Sequence, residues 1–257
     1  MIRWCAYCQA FLGESEPLDS AEITHGMCHE CALRLEAHDE LVDQTAAVRA
    51  LMNRIFACAA AADDSAIPAL IAEAHAAHLP PASILVGLLQ PALYRAGQAW
   101  QDGMMSVAAE HRFTAWCDRF FAQLGASAPP PAAPLDLLMF LAPGNRHTMG
   151  PRFLVELLAA RGFVAQHAQP VASIADAAHE IERLRPRVVG ISCALPSALP
   201  KADAMVLELA ARVDPSWPRR FLIGGFAVRA QGRPWVSAAG AEIAPTIEDV
   251  ERVIGAR

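Results

Sequence analysis

Residues 135–150 read LDLLMFLAPGNRHTMG, and this stretch decides the fold of the C-terminal half of the chain. Its first seven residues, 135–141, form an almost continuous apolar run, which is typical of a strand buried in a parallel sheet. The loop APGNRHTMG at 142–150 follows this strand. It leads into an amphipathic helix predicted over 148–161, which Gly162 ends. The stretch therefore predicts a strand, a loop and a helix in succession.

The same alternation continues towards the C-terminus. Further strands are predicted at 164–167, 188–192, 221–223 and 242–244, and further helices at 173–185, 200–213 and 247–254. Short apolar runs that alternate with amphipathic stretches predict a doubly wound parallel sheet, a Rossmann- or flavodoxin-like α/β domain. Because ligands of such sheets lie at the carboxyl ends of the strands, the loop 142–150 is a candidate site.

This loop carries no phosphate-binding motif. It contains neither G-x-G-x-x-G nor a Walker sequence, so an NAD or ATP site is poorly supported. It offers instead the imidazole of His147, which comes immediately before a predicted helix.

Three motifs after predicted strands together resemble those of cobalamin-binding domains. Asn145-x-His147-x-x-Gly150 resembles the family's D/E-x-H-x-x-G signature. The second motif contains Ser192, Leu195, Pro196 and Ser197, and the third is Gly224-Gly225. Their order and spacing agree with the family over 135–257, so the resemblance predicts that this region binds cobalamin. In the family, the glycine that Gly150 matches lets loop and helix pack closely.

The resemblance also implies roles for these side chains. His147 is expected to replace the cofactor's own nucleotide base as a ligand of cobalt, for which a neutral imidazole is suitable. Ser192 is expected to hydrogen-bond the displaced base, and Gly224 and Gly225 to let the nucleotide tail approach the backbone. Asn145 stands where the family has Asp or Glu. An amide accepts the imidazole N–H less strongly than a carboxylate does.

Residues 39–126 are predicted to be helical almost throughout. Helices over 39–62, 64–78, 81–101 and from Ser106, as N-cap, to Gly125 have short connections, which predicts a four-helix bundle.

Nine residues separate Trp100 from Glu110-His111. This pattern resembles the cap of light-sensing cobalamin repressors of the CarH type, and the surrounding sequence also resembles caps of corrinoid methyl-transfer proteins. The resemblance implies that Trp100, Glu110 and His111 cover the upper ligand of a bound cobalamin. Gln101 stands where the photoreceptors have a histidine that captures cobalt after illumination, a role that glutamine fills poorly.

Cys5-x2-Cys8 and Cys28-x2-Cys31 form two close pairs near the N-terminus. Four thiolates in a tetrahedron suit a structural zinc, and this spacing predicts one. Unliganded thiols, a redox dithiol and an iron–sulfur cluster are alternatives, and the nearby His25 or His29 could replace one cysteine ligand.

Composition sets the wider limits. The formal charge of −6 gives the chain no general attraction to nucleic acid, and a small ligand or a protein partner is favoured. No apolar run is long enough to span a membrane, and the start MIRWCAYCQ is unlike a secretory signal, so a cytoplasmic protein is expected. We expect four parts: a zinc-ribbon-like module at 1–38, the bundle at 39–126, a linker at 127–134 and the α/β domain at 135–257.

These observations favour a cobalamin-responsive or light-responsive regulator without catalytic residues, acting through a protein partner. The alternatives are a corrinoid carrier in methyl transfer, which would be a methyltransferase component, and a heme or bilin sensor that uses the same cleft. The form of cobalamin (adenosylcobalamin or another), homo-oligomerisation and direct DNA binding stay open.

Overall fold

The computed structural model describes residues 1–8, 10–18, 23–35, 41–125, 134–214, 220–229 and 235–255. The chain divides into two compact units, Met1–Ala126 and Ser127–Arg257. The boundary predicted at residues 38 and 39 lies outside the described residues, as does the predicted linker apart from Pro134.

The C-terminal unit contains one parallel sheet. Its strands are β4 (Leu137–Leu141), β5 (Ala165–His167), β6 (Val188–Ser192), β7 (Arg220–Gly224) and β8 (Glu242–Ala244). They lie in the order β5-β4-β6-β7-β8, and every neighbouring pair is parallel. The predicted parallel sheet is thereby confirmed.

Helices cover both faces of this sheet. They are α7 (Met149–Ala160), α8 (Ile174–Leu184), α9 (Leu199–Arg212), the short α10 (Phe226–Arg229) and α11 (Ile247–Gly255). Alternate residues of β4 point to opposite faces. Leu138 and Phe140 belong to a buried cluster with residues of α8 and α9, whereas Leu137 and Met139 belong to one with residues of α7 and α11. The α/β unit is therefore doubly wound, as predicted.

The N-terminal unit begins with a small sheet that the sequence analysis did not predict. Its strands are β1 (Ile2–Cys5), β2 (Phe11–Glu14) and β3 (Ile23–Gly26), and α1 (His29–Leu35) follows them. The strand order is β2-β1-β3, with β2 antiparallel and β3 parallel to β1.

Four helical segments make up the rest of this unit. They are α2 (Leu41–Ala61), α3 (Ile67–Ala76) after a 3₁₀ turn, α4 (Pro81–Ile84) continued by α5 (Gln90–Gln101), and α6 (Val107–Leu124). Ser106 caps α6 as predicted, because its hydroxyl accepts the Ala109 N–H at 3.2 Å. Within the described residues, no helix combines the length and the apolar character needed to cross a membrane.

A π-helical turn, Leu85–Leu89, joins α4 to α5. It comes just before Pro91, which lacks an N–H and whose ring would clash with the carbonyl four residues earlier in a regular α-helix. The wider turn accommodates the proline without ending the helix. The predicted helix over 81–101 is therefore one continuous segment with a local change of pitch.

Candidate functional site

The carboxyl ends of β4, β6 and β7 meet at one edge of the sheet. Leu141, Ser192 and Gly224, the last residues of these strands, are aligned in register. The chain leaves β4 towards β5 on one side and returns to β6 on the other, so the ends of β4 and β6 form the topological switch point of the sheet. The loop that carries Asn145 and His147 starts here.

A hydrogen-bond network fixes Asn145 in this loop. Its side-chain Nδ2 donates to the Ser192 carbonyl at 2.9 Å, and its Oδ1 accepts the His147 backbone N–H at 3.0 Å. The same Oδ1 lies 3.0 Å from Nδ1 of the His147 ring. The structure therefore brings together three of the residues predicted from the sequence.

This network also assigns the tautomer of His147. A carbonyl can only accept, so the amide nitrogen of Asn145 must face Ser192, which leaves Oδ1 as the acceptor. Nδ1 of His147 then carries the proton that Oδ1 accepts. In the neutral tautomer with this proton, the lone pair is on the other ring nitrogen, Nε2, of an exposed side chain, which is the form that binds a metal.

Asn145 makes a contact that a carboxylate at this position could not make. An ionised carboxylate could accept the imidazole N–H, but it has no proton to donate to the Ser192 carbonyl. The amide supports His147 and ties the loop to β6 with the same side chain.

Gly224 and Gly225 are required by the backbone itself. A Cβ on Gly224 would lie 2.9 Å from the Ala244 carbonyl oxygen. Gly225 has φ +101°, and a Cβ there would lie 2.4 Å from the Cys193 carbonyl oxygen. Only glycine fits the second position, whatever ligand the site takes.

The other predicted residues of this unit lie around the same edge with different exposure. Ser192 is buried, whereas Leu195 and Ser197 are exposed. The space around a Cβ on Gly150 is open within 4 Å, so the structure gives no packing reason for glycine there, contrary to the role that the resemblance implied.

The sequence analysis missed two residues at this edge. Phe226, which follows the glycine pair, has an exposed large apolar side chain. His167 ends β5, and its Nε2 is buried without a hydrogen-bond partner among the described residues. Burial and the nearby Arg152 guanidinium lower the pKa of His167, so its ring is neutral at pH 7. The only signal for these two residues in the sequence was that each lies at, or just after, the end of a predicted strand.

The predicted cap residues lie where α5 ends and α6 begins in the helical unit. Trp100 is 47% exposed, so it is not a core residue of the bundle. Met104 and Val107, which the sequence analysis missed, are also exposed apolar residues in this corner. Glu110 and His111 lie 3.7 Å apart at their closest side-chain atoms, Oε2 and Nε2. The corner thus displays apolar surface beside a carboxylate and an imidazole.

The four paired cysteines form one cluster. All four Sγ atoms lie within 4.8 Å of one another, and those of Cys8 and Cys28 are 3.6 Å apart. A zinc ion with four Zn–S bonds of about 2.3 Å has sulfur–sulfur edges of about 3.8 Å. The spacing of the thiols therefore fits a tetrahedral zinc site, and among the described residues this is the one cluster of metal-ligating side chains.

Backbone N–H groups point at two sulfur atoms of this cluster. The Cys28 N–H points to Sγ of Cys5 at 3.4 Å, and the Cys31 N–H points to Sγ of Cys28 at 3.3 Å. Burial raises the pKa of the Cys5 thiol, but hydrogen bonds, mainly from the backbone at Cys8 and Cys28, outweigh this and bring it to about 7. Burial raises the pKa of Cys8 to about 11 and also raises that of Cys31. A bound dication would compensate the charge of all four thiolates at once.

Residues 51–124, from α2 to the end of α6, match the family model described as B12 binding domain. This helical segment is therefore similar to that family. The matched segment contains the corner formed by Trp100, Glu110 and His111.

Three solved structures are similar to this chain, and the first of them shares its fold. The monomethylamine corrinoid protein of Methanosarcina barkeri is 14% identical, with a TM-score of 0.62 over 80% of this chain and 98% of that chain. A cobalamin-binding protein of Desulfitobacterium hafniense has a TM-score of 0.38 at 13% identity, covering 79% and 97%. The methanol:cobalamin methyltransferase complex of Methanosarcina barkeri has 0.35 at 13% identity, covering 90% and 94%. No curated protein matches this sequence.

Proposed function

We propose that this protein binds cobalamin, with His147 as the lower ligand of cobalt and with Trp100, Glu110 and His111 in contact with the upper ligand. The observation that carries the proposal is the Asn145 network, which engages Nδ1 of His147 and leaves Nε2 as the ring nitrogen available to a metal. The match of residues 51–124 to the B12 binding domain supports it independently.

The residues at the carboxyl edge of the sheet fit such a cofactor. A neutral imidazole is a suitable cobalt ligand, and Leu195 and Phe226 offer apolar side chains to a corrin ring. The buried Nε2 of His167, unpartnered among the described residues, could hydrogen-bond a ligand group at this edge. Ser192 lies at the same strand ends and is proposed to hydrogen-bond the nucleotide base.

Each protein residue then has one task. Bound cobalamin would supply a cobalt centre that exchanges its upper ligand. Asn145 orients His147 and holds the proton on Nδ1. Trp100 excludes water from the upper ligand, and Glu110 and His111 accept or donate hydrogen bonds there.

Spectroscopic titration of the purified protein with hydroxocobalamin tests the binding. We expect the parent and His179→Ala, which replaces an exposed histidine on α8, to bind alike. His147→Ala should lose the spectrum of histidine-ligated cobalt. Equal spectra and affinities for all three proteins would refute the assignment of His147.

We propose further that cobalamin binding regulates a protein partner, without catalysis by this chain. The cysteine cluster in the helical unit supports this role, because it is not needed to hold the cofactor. The test is to load adenosylcobalamin in darkness, illuminate, and compare absorption spectra and oligomeric mass. No change in either would reject the light-responsive form of the proposal.

A corrinoid carrier in methyl transfer is the second candidate, and the fold shared with a monomethylamine corrinoid protein favours it. The chain would then be one component of a methyltransferase. Protein loaded with methylcobalamin should pass its methyl group to a thiol acceptor in the presence of a cognate methyltransferase, whereas a regulator should not. An absorption spectrum of the protein as purified separates both candidates from a heme or bilin sensor.

We also propose that Cys5, Cys8, Cys28 and Cys31 bind a structural zinc ion. Their sulfur spacing supports it, and four cysteine ligands leave no open position for catalysis. All seven cysteines are unpaired, in keeping with the reducing cytoplasm that we propose as the location. Metal analysis should find one zinc per chain, lost in Cys8→Ser and kept in Cys58→Ser. Iron with sulfide would instead indicate a cluster.

A further inference from the structure

Trp4, the residue before Cys5, packs against the helical segment that matches the B12 binding domain model, and so connects the cysteine cluster to it. Trp4 is fully buried, and three atoms of its indole lie 3.4–3.7 Å from the position of a Cβ on Gly87. Gly87 belongs to the π-helical turn Leu85–Leu89. A side chain larger than a methyl group at residue 87 would overlap the indole, so the glycine provides the space in which Trp4 packs.

The strand that positions Trp4, β1, also carries Cys5, the first cysteine of the cluster. Trp4 and Cys5 end β1, and they pair with His25 and Gly26 of β3, just before Cys28. The Ala6 N–H continues this pairing with a bond of 2.8 Å to the Gly26 carbonyl. A metal held by both cysteine pairs therefore fixes β1 to β3 beside Trp4, whose side chain packs against the π-helical turn.

The small sheet is too short to hold Trp4 without help. Its three strands have four residues each, and strands this short form no independent core. Modules of this size depend on a metal, on disulfides or on packing against a larger body. All the cysteines are unpaired, which leaves the metal and the contact with the π-helical turn.

The helix that Trp4 contacts leads directly to the cap. After the π-helical turn it continues as α5 to Gln101, with Trp100 in its last turn. We infer that metal bound by the four cysteines acts through Trp4 to hold the helix over 81–101, and so controls how firmly Trp100 in its last turn is held. This inference rests on the proposed zinc site but not on cobalamin binding.

Hydrogen–deuterium exchange on the full chain tests it without cobalamin. The zinc-loaded protein is compared with protein stripped by a chelator under reducing conditions and with stripped protein given zinc sulfate again. We expect amides of 81–101 to exchange about ten-fold faster after stripping and to recover with zinc, because local opening becomes easier. Amides of β4 and β6 should not change.

Two variants distinguish the contact of Trp4 with the helix from metal binding by the cysteines. Trp4→Ala keeps all four cysteines, so it should still bind zinc, but exchange over 81–101 should be fast and indifferent to metal. Cys58→Ser, which changes a half-buried cysteine of α2, should behave as the parent.

The outcomes are distinct. Zinc that binds without slowing exchange over 81–101, or a Trp4→Ala protein that still responds to zinc, would overturn the inference and leave the zinc site standing. A parent protein that takes up no metal would overturn both. Hydroxocobalamin titrations of the same samples report separately on the cobalamin proposal.

Discussion

Replacing Asn145 by alanine tests the loop network quantitatively. The substitution removes the 2.9 Å bond to the Ser192 carbonyl and both bonds that Oδ1 accepts from His147. Each is worth about 0.5–1.5 kcal/mol, with exposed bonds at the low end, so the total is about 2 kcal/mol. Since 1.4 kcal/mol is about ten-fold, we expect cobalamin affinity to fall about thirty-fold. This agrees with losses of about 10- to 100-fold when a partner of a metal-ligating histidine is removed.

Titration with hydroxocobalamin, followed by absorbance and by calorimetry, measures this loss. Asn53→Ala is the matched control, because Asn53 is exposed on α2 and is the other asparagine of the chain. Asn145→Asp keeps the acceptor for His147 but loses the donor to Ser192, so its affinity should lie between those of the parent and Asn145→Ala. An Asn145→Ala protein within three-fold of the parent would show that the network does not prepare His147.

Two further substitutions test the α/β unit itself. Gly225→Ala should lower the free energy of unfolding by about 2 kcal/mol or more, because its Cβ would press on the Cys193 carbonyl. Gly240→Ala meets open space, so it should lower the free energy of unfolding by less. Chemical denaturation measures both changes. Although burial raises the pKa of Asp249, hydrogen bonds from Arg252 and Thr246 and the charge of Arg252 lower this pKa overall. The contribution of Asp249 to stability is therefore present above the ordinary carboxyl pKa and fades as pH falls through the lowered value. Asp249→Asn should flatten that acid limb in thermal melts; an unchanged pH profile would contradict the role of this ion pair.

The parallel sheet could be predicted because its central strands, β4 and β6, are buried on both faces and show as apolar runs. LDLLMFL is such a run, and β4 occupies its last five residues. The small N-terminal sheet could not, because its four-residue strands give no such pattern.

The candidate cobalamin site was likewise predicted only in part from the sequence. The position of Asn145 and His147 in the loop was predicted, but the bond from Asn145 to the Ser192 carbonyl was not, because it joins backbone and side chain 47 residues apart. Met104, Val107 and Phe226 were missed because apolar residues are expected in a core, and only the structure shows them exposed.

The identity of the lower cobalt ligand is the central claim, and electron paramagnetic resonance tests it most directly. Protein labelled with ¹⁵N only in histidine is loaded with unlabelled cobalamin and reduced to the paramagnetic Co(II) state. If His147 binds cobalt, the superhyperfine splitting from the axial nitrogen changes from a triplet to a doublet on labelling, and His147→Ala loses the doublet. A triplet that persists in the labelled protein would place the cofactor's own base on the cobalt and contradict the account.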